Sequence, residues 1–221
     1  MAPRLKKLLI TAGPTREMLD PVRFLSNLST GEMGYALAKV AVSKGYQVSL
    51  VSGPTDLQPP RNAKFYPVVS ALQMKEVCTK LFQKHDGLIM TAAVCDFMPV
   101  AAGRHKIPSA KGLTLKLKRT PDILASLAKR KGLRVVIGFC LETQDLVRRA
   151  SEKLLKKKLD GIVANFYDPK GHIPFGKRRV EVHLIDAAGK VRRIADRSKA
   201  QVSKILLGWM ENLGRDLSKS V

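Results

Sequence analysis

Apolar and polar positions alternate along the chain in blocks that change period. Leu8 to Ala12 is a short apolar run closed by Gly13-Pro14. Gly31 to Lys44 then carries apolar residues at helical spacing (Met33, Ala36, Leu37, Val40, Ala41), with Gly45 where a C-terminal cap belongs. Val48 to Ser52 and Phe65 to Val69 read as strands. Ser70 with Gln73 predicts a capped helix that faces the core through Leu72, Val77, Leu81 and Phe82. Leu88 to Ala93 and Val135 to Phe139 are buried-strand patterns. Asp145 to Lys158 is a helix and Gly161 to Asn165 a strand. Val180 to Ile185 and Val191 to Ile194 flank a turn-rich five-residue stretch and predict a hairpin. Ser198 to Leu217 closes as an amphipathic helix through Val202, Ile205, Leu206, Trp209 and Leu213.

Repeated strand–helix–strand units predict an α/β fold: a doubly wound, mostly parallel, Rossmann-like sheet in a single domain, 1–221. Two segments break the rhythm. Residues 98–112 hold prolines, glycines and basic residues and read as a flexible loop, with a half-exposed strand expected over Leu113 to Leu117. The hairpin is the other departure. Thr120-Pro121-Asp122 reads as a helix start with Thr120 as cap and Pro121 in the first turn.

Composition narrows the partners. Forty Lys and Arg stand against 18 Asp and Glu, a formal charge of +22. Anionic ligands fit that balance. Nucleic acid is one candidate, but aromatics are only 5% and no stacking signature accompanies the charge. No apolar run reaches the ~20 residues of a membrane span, and the N-terminus lacks a signal-peptide pattern. Cys78, Cys95 and Cys140 form no metal-binding spacing, which suits a reducing cytoplasm.

A doubly wound sheet binds ligands beyond the C-terminal ends of its strands. That rule selects Gly13 to Arg16, Thr91 to Phe97, Gly138 to Cys140, and Asn165. The helix opening Asn27-Leu28-Ser29-Thr30-Gly31-Glu32 predicts a Ser29/Glu32 capping box, and its backbone N–H groups and positive end suit a phosphate. The pattern is neither GxGxxG nor a Walker loop. Asp96 reads either as a turn residue or as a metal or ribose contact. Lys153 and Lys157, four apart, sit at the edge of an apolar helix face, where lysines either snorkel or point at a ligand; Glu152 and Lys156 fall outside it. Lys106 is a loop lysine able to close over a polyphosphate.

The ordered set ITAGPTREMLDPVRFLSNLSTGEMGYALA, AAVCDF, HKIP, TPDILA, GFCLET and KLLKKKLDGIVAN resembles the phosphopantothenoylcysteine synthetase family, in the form found as the synthetase half of a bacterial bifunctional protein. The resemblance runs from about Leu8 to Asn165, with no decarboxylase half beside it. It implies a ligase that joins 4′-phosphopantothenate to cysteine with CTP and Mg2+. The carboxylate is first activated as an acyl-cytidylate. A cytoplasmic homodimer is implied, paired through the added strand segments, with a possible separate decarboxylase partner and neither nucleic acid nor membrane. The same resemblance implies catalytic roles for Asn27, Lys106 and Arg23. It implies nucleotide contacts at Ser29, Thr30, Gly31, Ala93, Asp96, Lys106, Pro121, Asp122, Ile123, Leu124, Phe139, Lys153 and Lys157, and leaves the metal ligands open apart from Asp96. Two departures stand out. Pro108-Ser109 replaces the family's second loop lysine, for which Lys111 is a substitute, and Cys95 replaces the usual Ala. A non-catalytic nucleotide-binding module and a basic RNA-binding protein are the competing classes.

Overall fold

The computed structural model describes residues 5–108, 113–171, 173–176 and 179–219. Lys111 lies outside them. The first strand, β1 (Lys7–Ala12), alternates its side chains between two cores. Leu8, Ile10 and Ala12 pack on one face of the sheet and Leu9 on the other. A small ribbon, β2 (Glu17–Met18) and β3 (Phe24–Leu25), follows, then helix α1 (Glu32–Ser43), β4 (Gln47–Ser52), β5 (Ala63–Pro67) and α2 (Ala71–Phe82). The chain continues through β6 (Gly87–Met90), β7 (Phe97–Pro99), β8 (Leu117–Arg119), α3 (Ile123–Ala128), β9 (Val135–Glu142), α4 (Leu146–Lys157) and β10 (Gly161–Phe166). The hairpin β11 (Val180–Asp186) and β12 (Val191–Arg197) and the long α5 (Lys199–Lys219) complete it.

Eight strands form the main sheet in the order β12-β11-β10-β9-β6-β1-β4-β5. From β5 to β10 all neighbours are parallel; the hairpin is antiparallel, at one edge. Helices α1 and α5 cover one face and α2, α3 and α4 the other. The chain winds outward from β1 to β5, then returns to β6 on the opposite side of β1. The topological switch point therefore lies between β1 and β6.

Several local expectations need correction. Helix α1 has no Ser29/Glu32 box: Gly31 is the N-cap in the left-handed region (φ 80°), with no side-chain cap. Ser29 Oγ accepts from the Gly31 N–H instead (3.3 Å), because the αL turn swings Ser29 back from the helix. Asp122, not Thr120, caps α3, accepting from Ala125 N at 3.0 Å, while the Thr120 hydroxyl is taken by the Cys95 carbonyl. On α2 the buried residues are Ala71, Met74, Cys78 and Phe82; Leu72 is exposed because the capping box at Ser70 and Gln73 turns it outward. The strand expected over 113–117 shrinks to β8, paired with β7. Leu113, Leu115 and Leu117 are all exposed, so no apolar face fixes an alternation there. The C-terminal glycine of α1, the hairpin and the apolar stripe of α5 stand as expected.

Candidate active site

At the switch point β1 and β6 stay joined past their ends. Thr15 N donates to Ala93 O (3.1 Å) and Ala93 N to Gly13 O (2.9 Å). Two cavities meet there. The larger, about 860 Å³, opens between the ends of β6 and β9, the start of α3 and the C-terminal half of α4. Asn27, Ser29, Ala93 and Asp96 line it from one side; Pro121 to Leu124, Phe139, Lys153 and Lys157 line it from the other. The smaller, about 160 Å³, lies on the α1 and α5 face against Ser29, Thr30, Gly31 and Gly34, with Thr91 and Asn165 opposite. Ser29, Ala92, Ala93, Phe139, Cys140, Leu141 and Phe175 belong to both walls and form a neck between the chambers.

The local sequence explains this placement. Gly31 tolerates φ 80°, so α1 can start abruptly over the sheet edge. Gly34 lets α1 sit directly on the strand ends: a Cβ there would meet Ala12 Cβ and Thr91 Oγ1, each at 2.5 Å. The unpaired first N–H groups of α1, and its positive end, thus face the smaller chamber. Asn165 Oδ1 is buried there without a hydrogen-bond partner. At the neck, Asn27 Nδ2 donates to Ala93 O (2.9 Å) and to Cys95 Sγ (3.6 Å).

The model of the DNA/pantothenate metabolism flavoprotein C-terminal domain matches residues 4–213. The chain belongs to that family. Among its relatives, the coenzyme A biosynthesis bifunctional protein CoaBC of Bacillus subtilis (strain 168) is 46% identical over 200 residues, 90% of this chain and 49% of the relative. The protein of the same name from Borreliella burgdorferi is 37% identical over 206 residues, 91% of this chain and 51% of the relative. The chain therefore spans about half the length of these curated relatives. The crystal structure of the C-terminal domain of a CoaBC protein superposes with a TM-score of 0.82 at 38% identity, covering 97% of this chain and 98% of that one.

Within this family member the lysines of the larger chamber are held by carboxylates. Lys157 Nζ lies 2.9 Å from Asp122 Oδ2. Burial opposes ionisation of Asp122, but the hydrogen bonds from Lys157 and the Ala125 N–H win, and its carboxyl titrates below its ordinary range. Lys153 donates to buried Glu142, which also pairs with Arg149 at 3.3 Å. Glu142 lies inside the GFCLET stretch, yet its role showed in no spacing, because its partners come from the next helix. Phe175, Tyr167 and Lys199 are further lining residues that no motif marked, and Glu32, read from the sequence as a cap residue, lines the smaller chamber. Cys95 and Cys140 line the cavity as thiols: burial raises both, Cys140 to about 11.

Two expected site residues lie apart from these walls. Arg23 bonds buried Asp20 through Nε (2.9 Å) and donates to the Ile107 carbonyl. Asp20 also accepts from the N–H groups of Ile107 (3.0 Å), Val22 and Arg23 (both 2.8 Å). The Ile107 N–H leads these donors in lowering the Asp20 carboxyl to about 2. Gly103 N donates to Leu19 O (2.8 Å). Beyond β7 and the Val100 N bond to Lys116 O (3.0 Å), the described part of the 98–112 segment is thus tied to the 19–23 stretch at two points. Exposed Lys106 stands beside the second tie and is not among the residues lining either chamber. Among the described residues no group of three or more His, Cys, Asp or Glu is placed to hold a metal ion. No described helix is long and apolar enough to cross a membrane.

Proposed function

We propose that the chain is a phosphopantothenate–cysteine ligase of coenzyme A biosynthesis, using CTP. The observation that carries this reading is the pair of chambers meeting at the switch point, one lined with base-reading and lysine groups and the other capped by an open helix N-terminus. Such a crevice suits a reaction that joins two anionic molecules at one phosphorus atom. Phe139 offers a face to the nucleotide base, and the backbone of Pro121 to Leu124 offers hydrogen bonds to its edge. Lys153 and Lys157 balance phosphate charge, and the first N–H groups of α1 take the remaining phosphate oxygens.

The substrate carboxylate attacks the α-phosphorus at the neck. A P–O bond forms, the bond to diphosphate breaks, and an acyl-cytidylate remains. The cysteine amine then attacks the acyl carbon, the C–O bond to CMP breaks, and the amine loses its proton. Asn27, held by its bond to Ala93, presents its amide to this mixed anhydride. Asp96 is an exposed carboxylate at the cavity, and Mg2+ is commonly held by one or two carboxylates plus substrate phosphates, so the residue fits that ion. The ion supplies charge neutralisation on the phosphate oxygens. Lys106 completes the site by bringing its ammonium to the polyphosphate of the bound nucleotide.

The reading includes a cytoplasmic homodimer paired through β11 and β12, where β12 is an exposed sheet edge. The deciding experiment is a nucleotide panel on the purified chain. Formation of CMP and diphosphate that requires both 4′-phosphopantothenate and cysteine supports the ligase. Better turnover with ATP overturns the nucleotide choice alone. Nucleotide binding without any product favours a non-catalytic module.

A further inference from the structure

Lys199 occupies an unfavourable position. It is the first residue of α5, where a cation meets the positive end of the helix. Its side chain is only 10% exposed, and burial lowers its pKa against the counter-pull of Glu32. The start of α5 is nonetheless fixed: Ser198 N donates to Gln201 Oε1 (3.0 Å) and Gln201 N to Ser198 Oγ (3.2 Å). A buried ammonium at a helix N-terminus breaks a local rule, and such breaks concentrate at functional sites.

The surroundings indicate what it does. Lys199 Nζ lies 3.7 Å from Glu32 Oε2 and donates to the Gly176 carbonyl. Glu32 opens α1 and lines the smaller chamber beside the N–H groups that suit a phosphate. A bare carboxylate there would repel any anion the chamber receives. Gly176 follows Pro174 and Phe175, which also line that chamber, and Phe175 packs on Tyr167 with ring centroids 5.8 Å apart. Lys199 therefore touches two sides of the chamber, the α1 side through Glu32 and the Phe175 side through Gly176. The Lys199 and Glu32 pair also lines an outer groove of about 670 Å³ beside Pro59 and Pro60, and so forms the partition between groove and chamber.

We propose that Lys199 is a positioning residue of the nucleotide polyphosphate site, neutralising Glu32 at the mouth of α1 and holding the Phe175 wall against it. The proposal rests on the ligase reading for the identity of the anion. Its chemistry requires only a polyphosphate in the smaller chamber. Lys199→Gln exposes the phosphate to the unbalanced Glu32 carboxylate. Glu32→Gln removes that repulsion, so the double variant should recover what the single one loses. A purely structural tie would not recover in this way, because the double variant lacks both ends of it.

The test uses the full chain and reads binding directly, by isothermal titration with CTP and separately with inorganic triphosphate. Lys199→Gln is expected to weaken CTP about tenfold, the scale of one partly screened charge pair. Glu32→Gln/Lys199→Gln should return to within about threefold of the unsubstituted chain, and Lys199→Arg should stay within the same range because it keeps the charge. In turnover, the loss should appear in KM for CTP and not in KM for cysteine. CTP binding by Lys199→Gln within about twofold of the parent overturns the proposal, as does a double variant as weak as the single one. If Lys199→Gln fails to fold by circular dichroism, Glu32→Gln alone decides: tighter triphosphate binding supports the proposal and weaker binding overturns it. A parent chain that binds CTP but forms no CMP sinks the ligase reading and leaves the charge-pair result standing.

Discussion

Gly34→Ala puts a methyl where the structure has no room for one. Its Cβ would meet Ala12 Cβ and Thr91 Oγ1 at 2.5 Å and Ala12 Cα at 3.1 Å, against ordinary contacts of 3.4–4 Å. Two of those atoms belong to the backbone or the first side-chain carbon of a buried central strand, so the helix must move, by roughly 1 Å, not the sheet. Overpacking of this kind costs about 1–3 kcal/mol. Alanine recovers about 1 kcal/mol of helix propensity over glycine, leaving a net loss of up to about 2 kcal/mol. For a chain of this length that lowers Tm by up to about 8 °C. The functional loss should be larger, because α1 carries the phosphate-facing N–H groups with it, and a ~1 Å misplacement can cost ~10²-fold in rate. The control is Gly208→Ala, in the middle of α5, whose added Cβ meets nothing within 4 Å. It should raise Tm by a few degrees through an unfolded-state gain of about 0.4–1 kcal/mol and leave turnover alone. Thermal melts and CMP release measured on both variants check the argument. Equal melting shifts, or parental activity in Gly34→Ala, would refute it.

Asp20→Asn should loosen residues 103–107. Because the Asp20 carboxyl is lowered to about 2 from 3.8, its contribution is complete above about pH 4 and fades as pH falls through 2; amide exchange at Ile107 should show this in the parent and not in the variant. At about pH 8, Cys140, raised to about 11, should react with iodoacetamide ~10²-fold more slowly than free cysteine, and Cys78, raised to about 12, ~10³-fold more slowly, read by intact mass; fast labelling of Cys140 would show that the cavity wall opens. Lys106→Gln should cut turnover ~10²-fold with little change in Tm, since the residue is exposed; unchanged turnover would remove it from the site. Light scattering should give about twice 24.4 kDa, and an active monomer would refute the edge-strand dimer.

Much of the sheet was legible because buried parallel strands are continuous apolar runs bounded by glycine and proline, as in Leu8 to Ala12 and Val135 to Phe139. The strand-end rule then picked out Ala93, Phe139 and Asn165, all of which line a chamber. Cap chemistry was harder to read. Ser29 and Glu32 have the spacing of a capping box, but Gly31 between them takes the left-handed turn and voids it. Residues 113–117 alternate like a strand, yet Leu113, Leu115 and Leu117 are all exposed, and alternation without a buried face sets no register. Glu142, Phe175 and Lys199 were invisible for a different reason. Each acts through a residue on another element, and one-dimensional spacing carries no record of those meetings.

The fold's topology and the positive charge belong to the same account. A doubly wound sheet parts its loops where β1 and β6 diverge, and the Gly13 to Ala93 bridge keeps that gap narrow. The narrow gap divides the crevice into a chamber on the α3 and α4 face and another on the α1 face, so a molecule spanning both must cross the sheet edge at Asn27 and Ala93. On the proposed ligase reading two polyanions meet at that point and need counter-charge from both faces. Lys153 and Lys157 supply it on one side, each already paired with a carboxylate that sets its place without cancelling the surrounding excess. On the other side the helix end supplies a partial charge, and in the proposal Lys199 neutralises Glu32, the carboxylate that lines that wall among the described residues. A net charge of +22 far exceeds what these few residues contribute, and on the ligase reading the remainder would act at longer range by raising the local concentration of anionic substrates. That long-range part should fade with salt, while the partly buried pairs in the crevice should not, and the ionic-strength dependence of the CTP association rate separates the two.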